Sequence, residues 1–367
     1  MKIIKIQLQE RSYPIFIGKN SSLKIGQICS DINIGRDAII ITNSYLKEKF
    51  LGEIIACLNK NKITSKLILV PQTEEAKSVK YCLKILNELA HFDKMKRLFI
   101  IAFGGGAIGD LAGFVASIYK RGIGYIQVPT TLLAQIDSAI GGKTAINLAV
   151  AKNLVGSFYQ PKAVIVDNLF LKTLPKKQLL SGIAEAIKYA VIKDKKLFYF
   201  LKNNHQQIQK LDCSAIDFIQ EHCIRIKAKI IQIDEREERG IRTILNFGHT
   251  IGHALESAFG YKKLTHGESI SIGMACASEI SAQLNLLPQK ELKQILELIN
   301  LYRLPTILKT PFKESLLNRI MNSLFKDKKF IQATPRFVLP VGIGKVIVKN
   351  NISEELIRET IKKHFQI

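Results

Sequence analysis

A run of apolar residues, Leu98-Phe99-Ile100-Ile101-Ala102-Phe103, stops at Gly104-Gly105-Gly106 and gives way to Ala107-Ile108-Gly109-Asp110. Unbroken apolar runs of this length suit a strand buried on both faces, as in a parallel sheet covered by helices. The glycines allow a tight turn into a helix, whose first N–H groups are left unpaired and suit an anion. Gly104, Gly106 and Gly109 also satisfy the spacing G-x-G-x-x-G, which in a strand–turn–helix setting seats a dinucleotide pyrophosphate. The usual acidic residue about 20 positions further on, which holds the ribose, is missing. The sequence there reads Gln127-Val128-Pro129-Thr130-Thr131. A dinucleotide bound here must have its ribose held from elsewhere.

The first half of the chain repeats this alternation of strand and helix. Ala38–Thr42, Lys66–Val70, Arg97–Phe103, Tyr125–Val128 and Ala163–Asp167 read as strands, and Met1–Glu10 alternates charge and aliphatics like another. After Pro175 the texture changes to segments with a 3.6-residue period: Leu179–Ile192, Ile216–Ile233, His249–Phe259 and Ser269–Leu284. A strand-like run returns at Arg336–Pro340. These patterns predict an α/β nucleotide-type domain over 1–174 and a mainly helical domain over 175–367. A chain of 367 residues with 47% hydrophobic content can bury two such cores.

The formal net charge of +23 raises the question of nucleic acid. The lysines are spread along the chain, form no tract, and have no tryptophan among them to stack on bases. The expectation is no nucleic-acid partner and a preference for small anionic substrates. Six cysteines stand singly, without a C-x-x-C pair, and read as reduced thiols. No apolar run approaches the roughly 18–20 residues of a membrane span, so a cytoplasmic protein without membrane contact is expected.

Gly141-Gly142-Lys143-Thr144 ends like a phosphate-binding P-loop, but Asp137 stands where that motif needs its first glycine. The segment reads instead as a turn presenting Lys143 to an anion. His249 and His253 are four apart on one helical face. With His266, Glu268 and the helical pair Glu185 and Lys188, they can supply a mixed histidine and carboxylate metal site. Two histidines and one carboxylate with an open position make a catalytic zinc arrangement. The sequence lacks H-E-x-x-H, which disfavours a metalloprotease.

Seven segments, in order and spacing, resemble the 3-dehydroquinate synthase family. They are Gly104–Gly113, Arg121–Asn147, Lys152–Pro161, Ser181–Tyr189, Leu245–Glu256, His266–Met274 and Asp327-Lys328-Lys329. The resemblance implies a Rossmann-like NAD domain followed by a mainly helical metal-binding domain, an interdomain active site and a homodimer. It implies that 3-deoxy-D-arabino-heptulosonate 7-phosphate becomes 3-dehydroquinate and phosphate, a step of the shikimate pathway. Transient oxidation at C5, phosphate elimination, re-reduction and intramolecular aldol closure would follow one another.

By motif position, the resemblance implies Glu185, His249 and His266 as ligands of Zn2+ or Co2+, with His253 handling protons beside them. It assigns Lys143, Lys188, Glu238 and Asn246 to catalysis, and Asp137, Asn153, Lys227, Arg242, Lys328 and Arg121 to the sugar phosphate. Arg121 would reach it across the dimer interface. For NAD it implies Asn43, Gln72, Glu74, Lys77, Gly104, Gly105, Gly106, Asp110, Thr130, Thr131, Lys143, Lys152, Phe170 and Thr173. Glu74 and Lys77 would supply the missing ribose anchor.

The chain also departs from the family's pattern. Gln72-Thr73 replace an acidic or polar residue and a glycine, and Ala139 and Ala151 replace a serine and a glycine. Asp234–Arg242 is one residue longer than usual, so Glu237 and Glu238 compete for one role; counting back from Arg242 favours Glu238.

Overall fold

The computed structural model describes residues 1–93, 97–325 and 335–366. The chain divides into two compact units, Met1–Leu174 with Ile216–Arg236, and Pro175–Ala215 with Glu237–Ile367.

The strands of the first unit are β1 (Lys2–Ile6), β2 (Tyr13–Ile17), β3 (Asp37–Thr42), β4 (Thr64–Leu69), β5 (Leu98–Gly104), β6 (Tyr125–Pro129), β7 (Lys143–Ile146), β8 (Val155–Phe158) and β9 (Ala163–Val166). Its first helices are α1 (Ile25–Asp31), α2 (Ser44–Lys60), α3 (Val79–Phe92) and α4 (Gly106–Ile118). Seven strands make one sheet in the order β1-β2-β9-β6-β5-β3-β4, parallel except where β1 meets β2. Alternate residues of β5 serve opposite layers. Ile100 and Ala102 join Ile85, Leu89, Leu111 and Val115 of α3 and α4. Phe99, Ile101 and Phe103 join Ile28, Leu51 and Ile54 of α1 and α2. Both faces are covered, which is why the run carries no polar residue.

Chain direction locates the functional edge of this sheet. From β3 the chain passes through α2 to β4 on one side, then through α3 to β5 on the other. The order therefore reverses between β3 and β5, and such a switch point leaves a ligand crevice at the carboxyl ends of the strands.

The second unit opens with α5 (Lys176–Lys193), α6 (Lys195–Asn203) and α7 (His205–Gln209), before α8 (Cys213–Ile233) returns to the first. Ile224, Ala228 and Ile231 of α8 pack with Ile4, Ile15 and Val164 of the sheet. A single boundary near Leu174 therefore does not describe the chain, because Ile216–Ile233 belongs with the first unit. Helical periodicity shows which face is apolar, not which partner covers it.

The rest of the second unit contains α9 (His249–Ala258), α10 (His266–Gln283), α11 (Gln289–Leu301), α12 (Glu314–Leu324) and α13 (Glu354–Lys363). Between them, β10 (Leu308–Pro311) pairs with β13 (Phe365–Gln366), and β11 (Phe337–Gly342) with β12 (Lys345–Lys349). Of these four strands the sequence showed only β11; the others are short or mix lysine with aliphatics. Helix α10 is buried along most of its length, and glycines set how closely its neighbours approach. A Cβ on Gly273 would lie 2.0 Å from the Gly248 carbonyl oxygen of the segment entering α9, and one on Gly267 would lie 2.5 Å from Ser181 Cα in α5.

The C-terminal end is fastened by His364, which is 4% exposed. Its Nδ1 donates to the Thr306 carbonyl at 2.5 Å, and Nε2 lies 3.3 Å from Glu279. Burial alone would lower the His364 pKa, but contact with Cys276 and the Glu279 carboxylate outweighs burial and raises it to about 11. A folded-state pKa above the unfolded value of about 6.5 gives stability that is complete below pH 6.5 and is lost as pH rises towards 11. We expect His364→Gln to cost about 1.5–3 kcal/mol at neutral pH and to flatten the decline of unfolding free energy over that window. Parallel pH profiles for the two proteins in urea titrations would refute this.

Candidate nucleotide and metal sites

In the first unit, the residues expected at a nucleotide fall at the carboxyl ends of successive parallel strands. Asn43 follows β3 and caps α2 by accepting from Leu46 N–H at 3.0 Å. Gln72, Glu74 and Lys77 follow β4; Gly104–Gly106 and Asp110 lie at the end of β5 and the start of α4. Thr130 and Thr131 follow β6, and Phe170 and Thr173 follow β9. Gly105 precedes α4 in extended backbone, leaving the helix N-terminus to a bare glycine backbone. A Cβ on Gly109 would meet Gln127 Oε1 at 2.7 Å, so the third glycine of the fingerprint serves helix–strand packing. Phe170 is 2% exposed and packs edge-on against Phe50 and Phe103, so its ring is core and only its backbone can face a ligand.

Lys77 is 3% exposed, and its ammonium group donates to Asp110 Oδ2 at 2.6 Å and to Asn153 Oδ1 at 2.5 Å. Burial raises the Asp110 pKa, while the ion pair with Lys77 pulls it down. Asn153, in left-handed backbone at φ 55°, is thereby tied to the nucleotide edge, and Lys152 precedes it on the exposed β7–β8 loop. Gly141 and Gly142 both have positive φ, and they turn the chain into β7, so Lys143 opens a strand, not a free turn. Asp137, on a single π-helical turn, pairs with Lys227, a 5% exposed residue of α8. Arg121 is exposed in a left-handed pair with Lys120, at φ 64° and 48°.

In the second unit, Glu185, His249 and His266 offer ligand atoms that all lie within 4.8 Å of one another. Glu185 is 1% exposed in α5; His249 and His266 are the first residues of α9 and α10. Each histidine places Nε2 near Glu185 Oε1, at 3.5 and 3.4 Å. Their Nδ1 atoms are engaged elsewhere: that of His249 donates to the Phe247 carbonyl, and that of His266 to Glu256, both at 3.1 Å. These outer partners fix the ring tautomers and leave Nε2 for a cation. Burial lowers the His249 pKa to about 3, against the opposing Glu185 carboxylate, so this imidazole is neutral. Burial acts the same way on His266, but hydrogen bonds to Glu185 and Glu256 prevail and raise it to about 9. The convergence of two Nε2 atoms and one carboxylate fits a divalent metal of zinc type, which would take the place of the Nε2 proton that His266 shares with Glu185.

Around this trio, His253 stands one turn along α9, its ring 5.2 Å from that of His249 and 6.5 Å from that of His266. Lys188, 2% exposed, pairs with Glu185. Glu268 is taken up in a capping box with Thr265 at the start of α10 and is no ligand candidate. Glu256, for which the sequence alone suggests no role, completes the spacing His249, His253, Glu256 on one helical face; that spacing was the signal available.

Arg242 is 3% exposed, and its Nε lies 3.4 Å from Glu237 Oε1. Glu237 and Glu238 are both exposed; counting back from Arg242 favours Glu238, while Glu237 is the one that lies beside Arg242. Asn246 is exposed at the end of a 3-10 turn, Ile241–Asn246. Lys328 lies outside the described residues.

A doubly covered parallel sheet with a glycine turn at its switch point, and a helical unit with a His-His-Glu trio, define a nucleotide-using metalloenzyme class. Family profiles agree: one described as 3-dehydroquinate synthase N-terminal matches residues 67–181, and one described as its C-terminal counterpart matches 182–330. The 3-dehydroquinate synthase of Thermodesulfovibrio yellowstonii is 40% identical over 363 residues, covering 99% of this chain and 100% of its own. Among solved structures, 2-deoxy-scyllo-inosose synthase complexed with carbaglucose-6-phosphate, NAD+ and Co2+ has TM-score 0.85 at 27% identity, covering 99% and 100% of the two chains. ValA, a 2-epi-5-epi-valiolone synthase from Streptomyces hygroscopicus with NAD+ and Zn2+ bound, shares the fold with TM-score 0.85 at 24% identity, covering 97% of each chain. The chain belongs to the 3-dehydroquinate synthase family.

Proposed function

We propose that the chain converts 3-deoxy-D-arabino-heptulosonate 7-phosphate to 3-dehydroquinate and phosphate, as a carbon–oxygen lyase using NAD and a divalent metal, zinc or cobalt. The observation that carries this reading is the 40% identity to a 3-dehydroquinate synthase along 99% of the chain. When bound, NAD supplies reversible oxidation at C5 and the cation polarises the oxygen on that carbon. The chain's own groups hold and orient. Glu74 and Lys77 take the ribose and Gly104–Gly106 the pyrophosphate, with Asn43, Gln72, Asp110, Thr130, Thr131, Lys152 and Thr173 alongside. Lys143, Lys188, Lys227, Arg242, Asn153 and Asn246 bind the phosphate and carboxylate ends, where charge-assisted hydrogen bonds from cations favour a dianion. Lys328, Asp137 and either Glu237 or Glu238 complete that set. His253 moves a proton beside the metal.

The chain works as a cytoplasmic homodimer in this reading, with Arg121 reaching the phosphate of the neighbouring subunit. Among the described residues no helix is long and apolar enough to cross a membrane. Sedimentation equilibrium tests the dimer, and a one-chain mass would overturn it.

The lyase reading separates cleanly from a polyol dehydrogenase on the same scaffold. We expect stoichiometric phosphate release from the heptulosonate phosphate with only catalytic NAD, abolished by a chelator. Steady net accumulation of NADH, one per substrate consumed, would sink the lyase reading.

A further inference from the structure

Asn147 ends the β7 hairpin arm and has no place among the expected site residues, yet it joins two groups of them. Its backbone N–H donates to the Lys77 carbonyl at 2.6 Å, and an isolated parallel bridge links it to Ser78. Its side chain then faces two ways. Nδ2 donates to Glu74 Oε1 at 3.0 Å, and Oδ1 accepts from the Asn153 backbone N–H at 2.9 Å. The circuit closes through Lys77, whose ammonium group binds Asn153 Oδ1 and Asp110 Oδ2 and lies 3.9 Å from Glu74 Oε1.

We infer that Asn147 is a positioning residue that sets the ribose-binding carboxylate of Glu74 and the substrate-facing loop at Asn153 as one unit. The inference rests on the proposed NAD and substrate roles of those two residues. Glu74 is exposed, and a carboxylate on a short 3-10 turn has several rotamers open to it. The amide of Asn147 selects one of them before any ligand arrives. Asn153 is constrained in another way: it sits in left-handed backbone, which asparagine adopts more readily than other side-chain-bearing residues but does not hold by itself. The bond from its N–H to Asn147 Oδ1 holds that conformation, which in turn aims its amide at Lys77. Preorganisation of this sort appears as binding affinity, because the ordering cost is met before the ligand arrives.

Three proteins test this as metal-loaded full chains: the unsubstituted chain, Asn147→Ala and Asn147→Asp. The backbone ties to Lys77 and Ser78 remain in each variant. Calorimetry gives the NAD dissociation constant, and initial rates give KM and kcat per folded molecule. Asn147→Ala is expected to raise both the NAD dissociation constant and the substrate KM by about tenfold or more, with kcat within about threefold. Asn147→Asp keeps an acceptor for the Asn153 N–H but turns a carboxylate on Glu74. It should weaken NAD at least as much while leaving substrate KM near that of the unsubstituted chain. Unchanged NAD affinity and KM in Asn147→Ala, with only a lower melting temperature, would overturn the inference alone. Failure of the unsubstituted chain to bind NAD would overturn it together with the nucleotide reading.

Discussion

His266→Ala is expected to strip the protein of tightly bound zinc or cobalt and to lower turnover by roughly a thousandfold or more, since several kcal/mol of charge stabilisation leave with the metal. His266 supplies one of three converging donors, and a catalytic zinc site ordinarily needs three protein ligands. Metal analysis after dialysis, followed by the phosphate-release assay, measures both effects. Full metal content in the variant would remove His266 from the ligand set. Glu256→Gln provides a graded comparison. It keeps a hydrogen-bond acceptor for His266 Nδ1 but loses the charge, and outer-partner changes of this type cost about 10–100-fold in metal affinity or activity.

Gly273→Ala should produce a large loss of stability from a single added methyl. The new Cβ would stand 2.0 Å from the Gly248 carbonyl oxygen and 2.9 Å from Gly252 N, both backbone atoms that cannot rotate away. Helices α9 and α10 must separate, at a cost of about 3 kcal/mol, the upper part of the usual overpacking range. The thermal midpoint should fall by several degrees. Because His249 begins α9 and His266 begins α10, metal affinity should fall as well. Gly52→Ala is the matching control. Gly52 lies inside α2 with nothing within 4 Å of the place its methyl would take, and the change should stabilise by about 0.5–1 kcal/mol. A Gly273→Ala protein that melts within a degree of the parent would refute the steric argument.

What could be read from the sequence follows from how local each signal is. The central strands β3, β5, β6 and β9 announced themselves because burial on two faces leaves mostly aliphatic and aromatic residues, as in Ile39-Ile40-Ile41, while β4 at the sheet edge showed only through Leu67-Ile68-Leu69. The β7–β8 hairpin did not, since Lys143-Thr144-Ala145-Ile146 and Val155-Gly156-Ser157-Phe158 alternate exposed and covered positions over only four residues. The pair His249 and His253 pointed to a metal but suggested both as ligands. The carboxylate that the structure sets beside His249 and His266 comes from α5, 64 positions earlier, and no periodicity connects segments so far apart. Pattern reading offered Glu185 and Glu268 alike, and only the family resemblance chose Glu185. The roles of Glu256 and Asn147 depend on hydrogen bonds across elements, and spacing alone carries little of that information. Phe170 shows the reverse case: motif position put it at the nucleotide, while packing shows its ring facing Phe50 and Phe103.

The return of α8 to the sheet limits how this chain can be taken apart. A fragment ending at Leu174 would carry Ile4, Ile15, Ile17, Val164 and Val166 without the Ile224, Ala228 and Ile231 that cover them. Such a piece would present an oily face to solvent and associate through it. Covalent continuity passes between the units three times, at Leu174–Pro175, Ala215–Ile216 and Arg236–Glu237. Two protease nicks therefore leave a tether, and an autonomous nucleotide module would have to be re-spliced, with 1–174 joined directly to 216–236.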